Sequence, residues 1–234
     1  MRYIVFSDIH GNSLALKSMM KQTINEKTDG YIFCGDIVGY FYEQEEVINQ
    51  LCKWNERLYA VLGNHDFNYL NGLGDETYAK IFSQQYGRSY VEELSVSALT
   101  FLQRLPCALS LIIDGKRVLV LHGSLSDPLD GRIYPDTEIE KKELYSRYDV
   151  VFTGHTHYQM KKKCDKTLLI NPGSLGQPRD GRGFSYCIFD FEKMKVEFHT
   201  IEIDIKALID NMLQRKEDMR LVAYIKAAFE RNNV

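Results

Sequence analysis

Short apolar runs recur along the chain, rich in β-branched or aromatic side chains and closed by Gly, Asn or Asp, which is the pattern of buried strands. They predict strands over residues 3–6, 31–34, 58–62, 118–121 and 150–153. Between the first three, apolar residues return at helical spacing: Leu14, Leu16, Met19, Met20 and Ile24 within 12–25, then Val47, Ile48 and Leu51 within 43–54. Strand, helix, strand, helix, strand implies a parallel βαβ beginning. Residues 67–105 read as helical and rich in aromatics (Phe67, Tyr69, Tyr78, Phe82, Tyr86, Tyr90), forming either a cap over a site or plain helical covering. Residues 166–203 return to strands, with 184–191 and 195–203 pairing as a hairpin over 192–194. In the last of these the apolar phase shifts between Phe198 and Ile201, which predicts a bulge near His199 and Thr200. From 205 to 234 apolar and charged residues alternate as in one or two amphipathic helices, which either cover their own domain or pair with another chain. No repeat, low-complexity stretch or linker interrupts the chain, so one domain over 1–234 is expected.

Composition narrows the function classes. The 234 residues are 44% hydrophobic, enough for a proper core, and the net charge of −3 and pI near 6.1 give no sequence-wide sign of a polyanion partner. Nucleic acid is therefore disfavoured as a partner. The five cysteines (Cys34, Cys52, Cys107, Cys164, Cys187) are odd in number and contain no C-x-x-C pair, which suits thiols in a reducing compartment. With no signal-peptide pattern after Met1 and no apolar stretch long enough to cross a bilayer, a cytoplasmic protein without a membrane partner is expected.

The candidate chemistry sits just past the strands. The strand ends read Asp8-Ile9-His10-Gly11-Asn12, Gly35-Asp36, Gly63-Asn64-His65-Asp66, His122-Gly123 and Gly154-His155-Thr156-His157. In open α/β sheets the carboxyl ends of the strands line the ligand crevice, so residues distant in sequence meet there. The candidate ligands Asp8, His10, Asp36, Asn64, His122, His155 and His157 mix imidazole with oxygen donors, as Mn, Fe, Ni, Co or Zn prefer over Ca or Mg. Seven ligands exceed one ion's need. If one carboxylate bridges, two ions roughly 3.5 to 4 Å apart are filled, and such pairs clamp the attacking and leaving oxygens of a displacement at phosphorus.

In order and spacing, D-x-H, G-D, G-N-H-D, H-G and G-H-x-H resemble the calcineurin-like metallophosphoesterase superfamily over residues 8–157. Residues 171–179, Asn-Pro-Gly-Ser-Leu-Gly-Gln-Pro-Arg, are similar to its small bacterial and archaeal phosphodiesterase-like branch. The resemblance implies a four-layer α/β/β/α sandwich of two mixed β-sheets flanked by helices. It also implies two divalent metal ions, Mn first among them, with Asp8, His10, Asp36 and His157 on one and Asp36, Asn64, His122 and His155 on the other. A metal-bridging hydroxide would attack a phosphomonoester or phosphodiester. His65 would face the substrate and, protonated, assist the leaving group, with Asp66 orienting it.

The small phosphate ester is left open, with nucleotide-derived substrates among the options, as is a homo-oligomer. Where some relatives carry a phosphate-gripping Arg after the second block, this chain has Ile37-Val38-Gly39-Tyr40, so Arg179 or Arg182 would have to reach the site instead. Tyr40 and Arg179 are the candidate substrate contacts, although Tyr40, Phe41 and Tyr42 read equally well as packing. Residues 171–174 have an ordinary explanation as a turn. Lys161, Lys162 and Lys163 read as a solvated edge between short strands, and His199 as a plain strand residue. The rival readings are a scaffold that keeps the fold without the chemistry, whose relatives lose motif residues, and a nuclease, which needs a basic groove.

Overall fold

A computed structural model describes residues 1–87 and 92–231. Tyr90, one of the aromatics of the middle segment, lies outside the described residues.

The βαβ beginning forms as the pattern requires. β1 (Arg2–Phe6), α1 (Ser13–Gln22), β2 (Gly30–Phe33), α2 (Gln44–Trp54) and β3 (Leu58–Ala60) alternate, and the three strands pair in parallel, with Ile4 against Tyr31 and Ile32 against Tyr59. Asn12 caps α1 by accepting the Ala15 N–H at 3.0 Å, satisfying one of the donors a helix start leaves open. The middle segment is helical, as α3 (Asn64–Gly72), α4 (Glu76–Tyr86) and α5 (Val96–Arg104). α3 starts earlier than the pattern suggests, so Asn64 and His65 sit in its first turn.

A second sheet uses β4 (Ala108–Ile113), β5 (Lys116–Leu121), β6 (Val150–Phe152), β7 (Gln159–Cys164) and β8 (Thr167–Pro172), with a single helical turn, α6 (Lys142–Tyr145), before β6. The chain then returns to the first sheet with β9 (Phe184–Asp190) and β10 (Lys195–Ile201), and ends in α7 (Ile205–Gln214) and α8 (Met219–Arg231). The strand orders are β10-β9-β1-β2-β3 and β4-β5-β6-β8-β7. The first sheet is parallel from β1 to β3 and antiparallel on the β9-β10 side, whereas the second has a parallel centre with antiparallel edges.

The two sheets lie face to face over a core that includes Val5, Ile32, Val120, Phe152 and Phe189. The outer face of the first sheet is covered by α1, α2, α5, α7 and α8, through residues such as Leu16, Val47, Leu102, Met212 and Phe229. The outer face of the second sheet is covered by Ile133, Ile139 and Tyr145, that is, by a long loop and α6. The result is a four-layer α/β/β/α sandwich with a thin fourth layer. α7 and α8 pack on their own chain's core through Leu208, Ile209, Val222 and Ile225.

Two expectations need correcting. β9 and β10 pair in one unbroken register from Lys195 with Asp190 to Ile201 with Phe184, with His199 opposite Tyr186 and Thr200 opposite Ser185, so there is no bulge. The phase shift arises because β10 is buried on different faces at its two ends. Val196 and Phe198 turn toward the other sheet, whereas Ile201 joins the core under the helices. His199 stacks on Tyr186 at 5.2 Å. The three lysines lie within β7 rather than between strands; β7 is an edge strand, where lysines disfavour pairing with another chain.

Candidate metal centre

Parallel pairing of β1, β2 and β3 brings their carboxyl ends to one edge of the first sheet, and β5 and β6 reach the same edge of the second. Within each edge the loops that follow the strands are stitched by backbone bonds. Asp8 N–H donates to Gly35 O (2.9 Å), His10 N–H to Asp36 O (3.1 Å) and Gly154 N–H to His122 O (2.8 Å). The run 171–179 closes the seam: Asn171 Nδ2 donates to Gly154 O (2.7 Å), and Ser174 Oγ donates to Asp8 O (2.8 Å). Asn171 and Pro172 end β8 and the chain bends only after them, so the turn expected over 171–174 is instead a strand end followed by a loop that fixes the backbone under the site.

Eight of the residues singled out from the sequence converge at that edge. Donor atoms of Asp8, His10 and His157, of Asp36, His122 and His155, and of His10, Asp36 and His65 form three buried groups, the atoms of each lying within 4.8 Å of one another. Asn64 joins the second group, its Oδ1 lying 3.0 Å from His122 Nε2. Asp36 stands between the first two groups, with Oδ2 3.2 Å from His122 Nε2 and 3.8 Å from His10 Nε2. Five of these residues adopt left-handed backbone, with φ of 54° at Asp8, 50° at His10, 68° at Asp36, 64° at His155 and 61° at His157. That conformation is uncommon for non-glycine residues and concentrates at functional sites.

The imidazoles are aimed by their far nitrogens. His10 Nδ1–H donates to Val38 O (2.9 Å), His122 Nδ1–H to Cys34 O (2.7 Å) and His157 Nδ1–H to Gln177 O (2.5 Å). Such backbone anchoring is the usual second contact of a metal-bound histidine. For His10 and His157 it leaves Nε2 as an acceptor, yet these two Nε2 atoms lie 3.3 Å apart. Two lone pairs facing each other in a dry interior repel unless a cation sits between them. Asp8 Oδ1, itself 3.1 Å from His157 Nε2, and His155 Nε2 are likewise fully buried, with no hydrogen bond once that Nε2 carries no proton. The donor set therefore fits divalent ions.

The protonation states agree with that use. Burial works to raise Asp8 and Asp36, but neighbouring histidines outweigh it, His157 for Asp8 and His122 for Asp36, and hold both carboxyls well below their usual range. Burial alone would lower His122; Asp36 reverses this and lifts it to about 10. Burial, helped by His65, holds His10 well below its ordinary value, and burial with His122 pushes His155 down to about 3. Apart from His122, these imidazoles keep the neutral form that a metal requires.

His65 packs edge-on against Tyr86 (ring centroids 4.5 Å apart) and His10 (4.8 Å). The protonated imidazole expected there is not its resting state, because burial pushes it down to about 4. Asp66 departs from expectation too. Its carboxylate accepts the N–H groups of Ile37 (2.8 Å), Val38 (3.0 Å), Asp36 (3.0 Å) and Gly63 (3.1 Å), so it shapes the loop that carries Asp36. Arg179 reaches the rim, where Nη2 donates to Tyr40 Oη at 3.2 Å and to Gln177 Oε1 at 2.8 Å. Arg182 turns to Gln159 instead (3.5 Å). Among the aromatics, Tyr78, Phe82 and Tyr86 stack along α4 toward His65, whereas Tyr69 is structural, its hydroxyl donating to Glu92 O at 2.8 Å.

Gln177 is a site residue that pattern reading misses. Its main chain anchors His157, its Oε1 holds Arg179, and its Nε2 is buried without a partner. Nothing in the sequence distinguishes it from an ordinary turn residue.

Comparison with known proteins agrees with this architecture. The profile of the calcineurin-like phosphoesterase superfamily domain matches residues 1–194. An uncharacterized protein of Methanocaldococcus jannaschii is 32% identical over 91% of this chain and 92% of its own length. A phosphodiesterase of the same organism is 26% identical over 74% of this chain and 83% of its own. The crystal structure of a metallophosphoesterase from Sphaerobacter thermophilus superposes with a TM-score of 0.79 at 27% identity, covering 97% of this chain and 100% of that one. With a matching domain profile, a relative above 30% identity over nearly its whole length and a shared sandwich, the chain belongs to the calcineurin-like phosphoesterase superfamily.

Proposed function

We propose that the protein is a dinuclear-metal phosphoesterase that hydrolyses a small phosphomonoester or phosphodiester. The observation that carries this reading is the close approach of the His10 and His157 Nε2 atoms, each aimed by a backbone carbonyl, beside a carboxylate that faces both ligand groups. Asp8, His10, Asp36 and His157 would hold one divalent ion, and Asp36, Asn64, His122 and His155 the other. Mn is the first choice, and Fe, Ni, Co or Zn suit the same donors. When bound, such a pair lowers the pKa of water toward neutrality and offsets charge on the phosphoryl oxygens.

The chain's own residues supply the rest. His65, neutral at rest, gains basicity when an anionic phosphate sits beside it, takes up a proton released by the attacking water, and passes it to the leaving oxygen. Tyr40 and Tyr86 pack on its ring and keep bulk water from it. Arg179 pairs with no carboxylate among the described residues, which leaves its charge for the substrate phosphate. Gln177 orients both Arg179 and His157. All five cysteines are unpaired, which suits a reducing cytoplasm.

The test is hydrolysis of p-nitrophenyl phosphate and bis-p-nitrophenyl phosphate by metal-stripped protein after adding each ion in turn. We expect metal-dependent turnover that falls by at least about 100-fold in Asp36→Asn. Full turnover in that variant overturns the reading.

A further inference from the structure

Between α4 and α8 lies a cavity of about 610 Å3, lined by Tyr40, Ile81, Gln84, Tyr86, Leu221 and Tyr224. Its size falls within the range of small-molecule pockets, roughly 300–1,000 Å3. We propose that it is a nucleoside subsite, holding the nucleoside part of an ester whose phosphate lies at the metal centre. The proposal rests on the phosphoesterase reading and names its substrate class.

Cavity and centre share walls. Tyr40 and Tyr86 line the cavity and also pack on His65, with ring centroids 5.5 Å and 4.5 Å away. The Tyr40 N–H donates to Tyr86 O at 2.7 Å, tying the loop after β2 to the end of α4. α8 is locked to the same junction. A Cβ at Gly87 would lie 3.2 Å from Leu221 Cδ2 and 3.3 Å from Tyr40 O, and Tyr42 Oη donates to the buried Glu217 just ahead of α8.

The lining chooses the occupant. Ile81 and Tyr224 are 56% and 43% exposed, so apolar and ring surface stands open to solvent there, as a flat aromatic group requires. The amides of Gln84 and Gln85 offer donors and acceptors that suit the edge of a base. Charge argues against a second phosphate in this place, because Arg220 is paired to Asp218 at 2.6 Å and the cavity carries no net charge from that pair. Arg179, without a carboxylate partner among the described residues, meets the cavity through Tyr40 Oη. Phosphate on Arg179 and the metals, with the base between Tyr86 and Tyr224, satisfies both ends. α8 also lies beyond residue 194, where the superfamily match ends, so one wall comes from outside the shared catalytic frame.

Isothermal titration of the manganese-loaded full-length protein with adenosine 5′-monophosphate and with methyl phosphate tests this without relying on turnover. The nucleotide should bind roughly tenfold more tightly, in keeping with base stacking on an aromatic platform. Tyr224→Ala and Ile81→Ala, on opposite walls, should each bring the two dissociation constants together, while Val96→Ala on α5 keeps them apart. Melting curves of each variant report whether it folds. Equal affinities in the unsubstituted protein, a ratio that survives both substitutions, binding of neither phosphate, or phenyl phosphate binding as tightly as the nucleotide would each overturn the subsite. Hydrolysis of bis-p-nitrophenyl phosphate is read separately. Lost discrimination with metal-dependent turnover intact defeats the subsite alone, whereas no turnover with any ion defeats the phosphoesterase reading.

Discussion

Asp36 and Asp66 hold each other's backbone in a crossed arrangement: the Asp66 carboxylate accepts the Asp36 N–H at 3.0 Å, while Asp36 Oδ1 accepts the N–H of His65, the residue before Asp66, at 2.9 Å. The loop after β2 and the start of α3 are therefore one unit. Asp66→Ala strands four buried N–H groups, and a loss of about 3–5 kcal/mol is expected. Metal content should fall with it. His65→Ala, by contrast, should keep metal and stability and lose about 100- to 10,000-fold in turnover, as for a residue that moves a proton. Denaturant unfolding, elemental analysis and rates on both variants separate the two roles, and an Asp66→Ala protein of native stability would contradict this assignment.

Gly63 occupies the same junction for a steric reason. Its backbone is ordinary extended chain, with φ of −96°, but an added Cβ would lie 2.0 Å from Asp36 Oδ1 and 2.4 Å from Asp36 N. Gly63→Ala should displace Asp36 and weaken metal binding by at least about tenfold, the scale seen when a ligand's supporting contacts are lost. Gly115→Ala is the contrast. There φ is +73° and nothing lies within 4 Å, so it should cost about 1 kcal/mol and leave metal uptake unchanged. Metal titration of both proteins checks the pair.

Metal removal should be visible in stability. Each ion that binds only the folded chain, present at about 100 times its dissociation constant, adds about 2.7 kcal/mol. For a chain of this length that corresponds to roughly 5–10 °C in Tm. Chelator-treated protein should melt lower by that amount for each ion lost and recover on adding Mn; an unchanged melting curve would mean that the cluster holds no ion.

The thiols give an independent check of the packing. Cys34 and Cys187 are buried between the sheets, and burial pushes both thiols well above their ordinary value. Cys164 is buried under the second sheet, and Cys52 and Cys107 are exposed. A thiol reagent at neutral pH should label Cys52 and Cys107 in the folded protein and reach the other three only after denaturation, as peptide mass mapping would report.

The metal-type residues are legible in the sequence because each lies just past a strand, and parallel strands deliver their trailing residues to one edge. Asp8, His10, Asp36, Asn64, His65, His122, His155 and His157 meet there for that reason. Asp66 and Gln177 are not legible in their roles, since their partners are backbone amides, a carbonyl-bound ring and a guanidinium, which no spacing rule encodes. β10 misleads for another reason: an apolar residue that changes face looks like a bulge until the helices over its far end are known. β4 escapes notice because most of its side chains are only half-buried or exposed, which blurs its apolar alternation.

The left-handed backbone at Asp8, His10, Asp36, His155 and His157 bears on how such a protein changes over generations. Each of these residues holds a conformation that costs on the order of 1–3 kcal/mol, and glycine would occupy it at almost no steric cost. A drift that replaces a ligand with glycine would release that strain in the metal-free chain even as it ends the chemistry, against the cavity and stranded N–H groups it leaves. The strain thus offsets part of what the lost side chain costs, and a chain no longer held to its reaction sheds a ligand at a smaller loss of stability than burial alone would set.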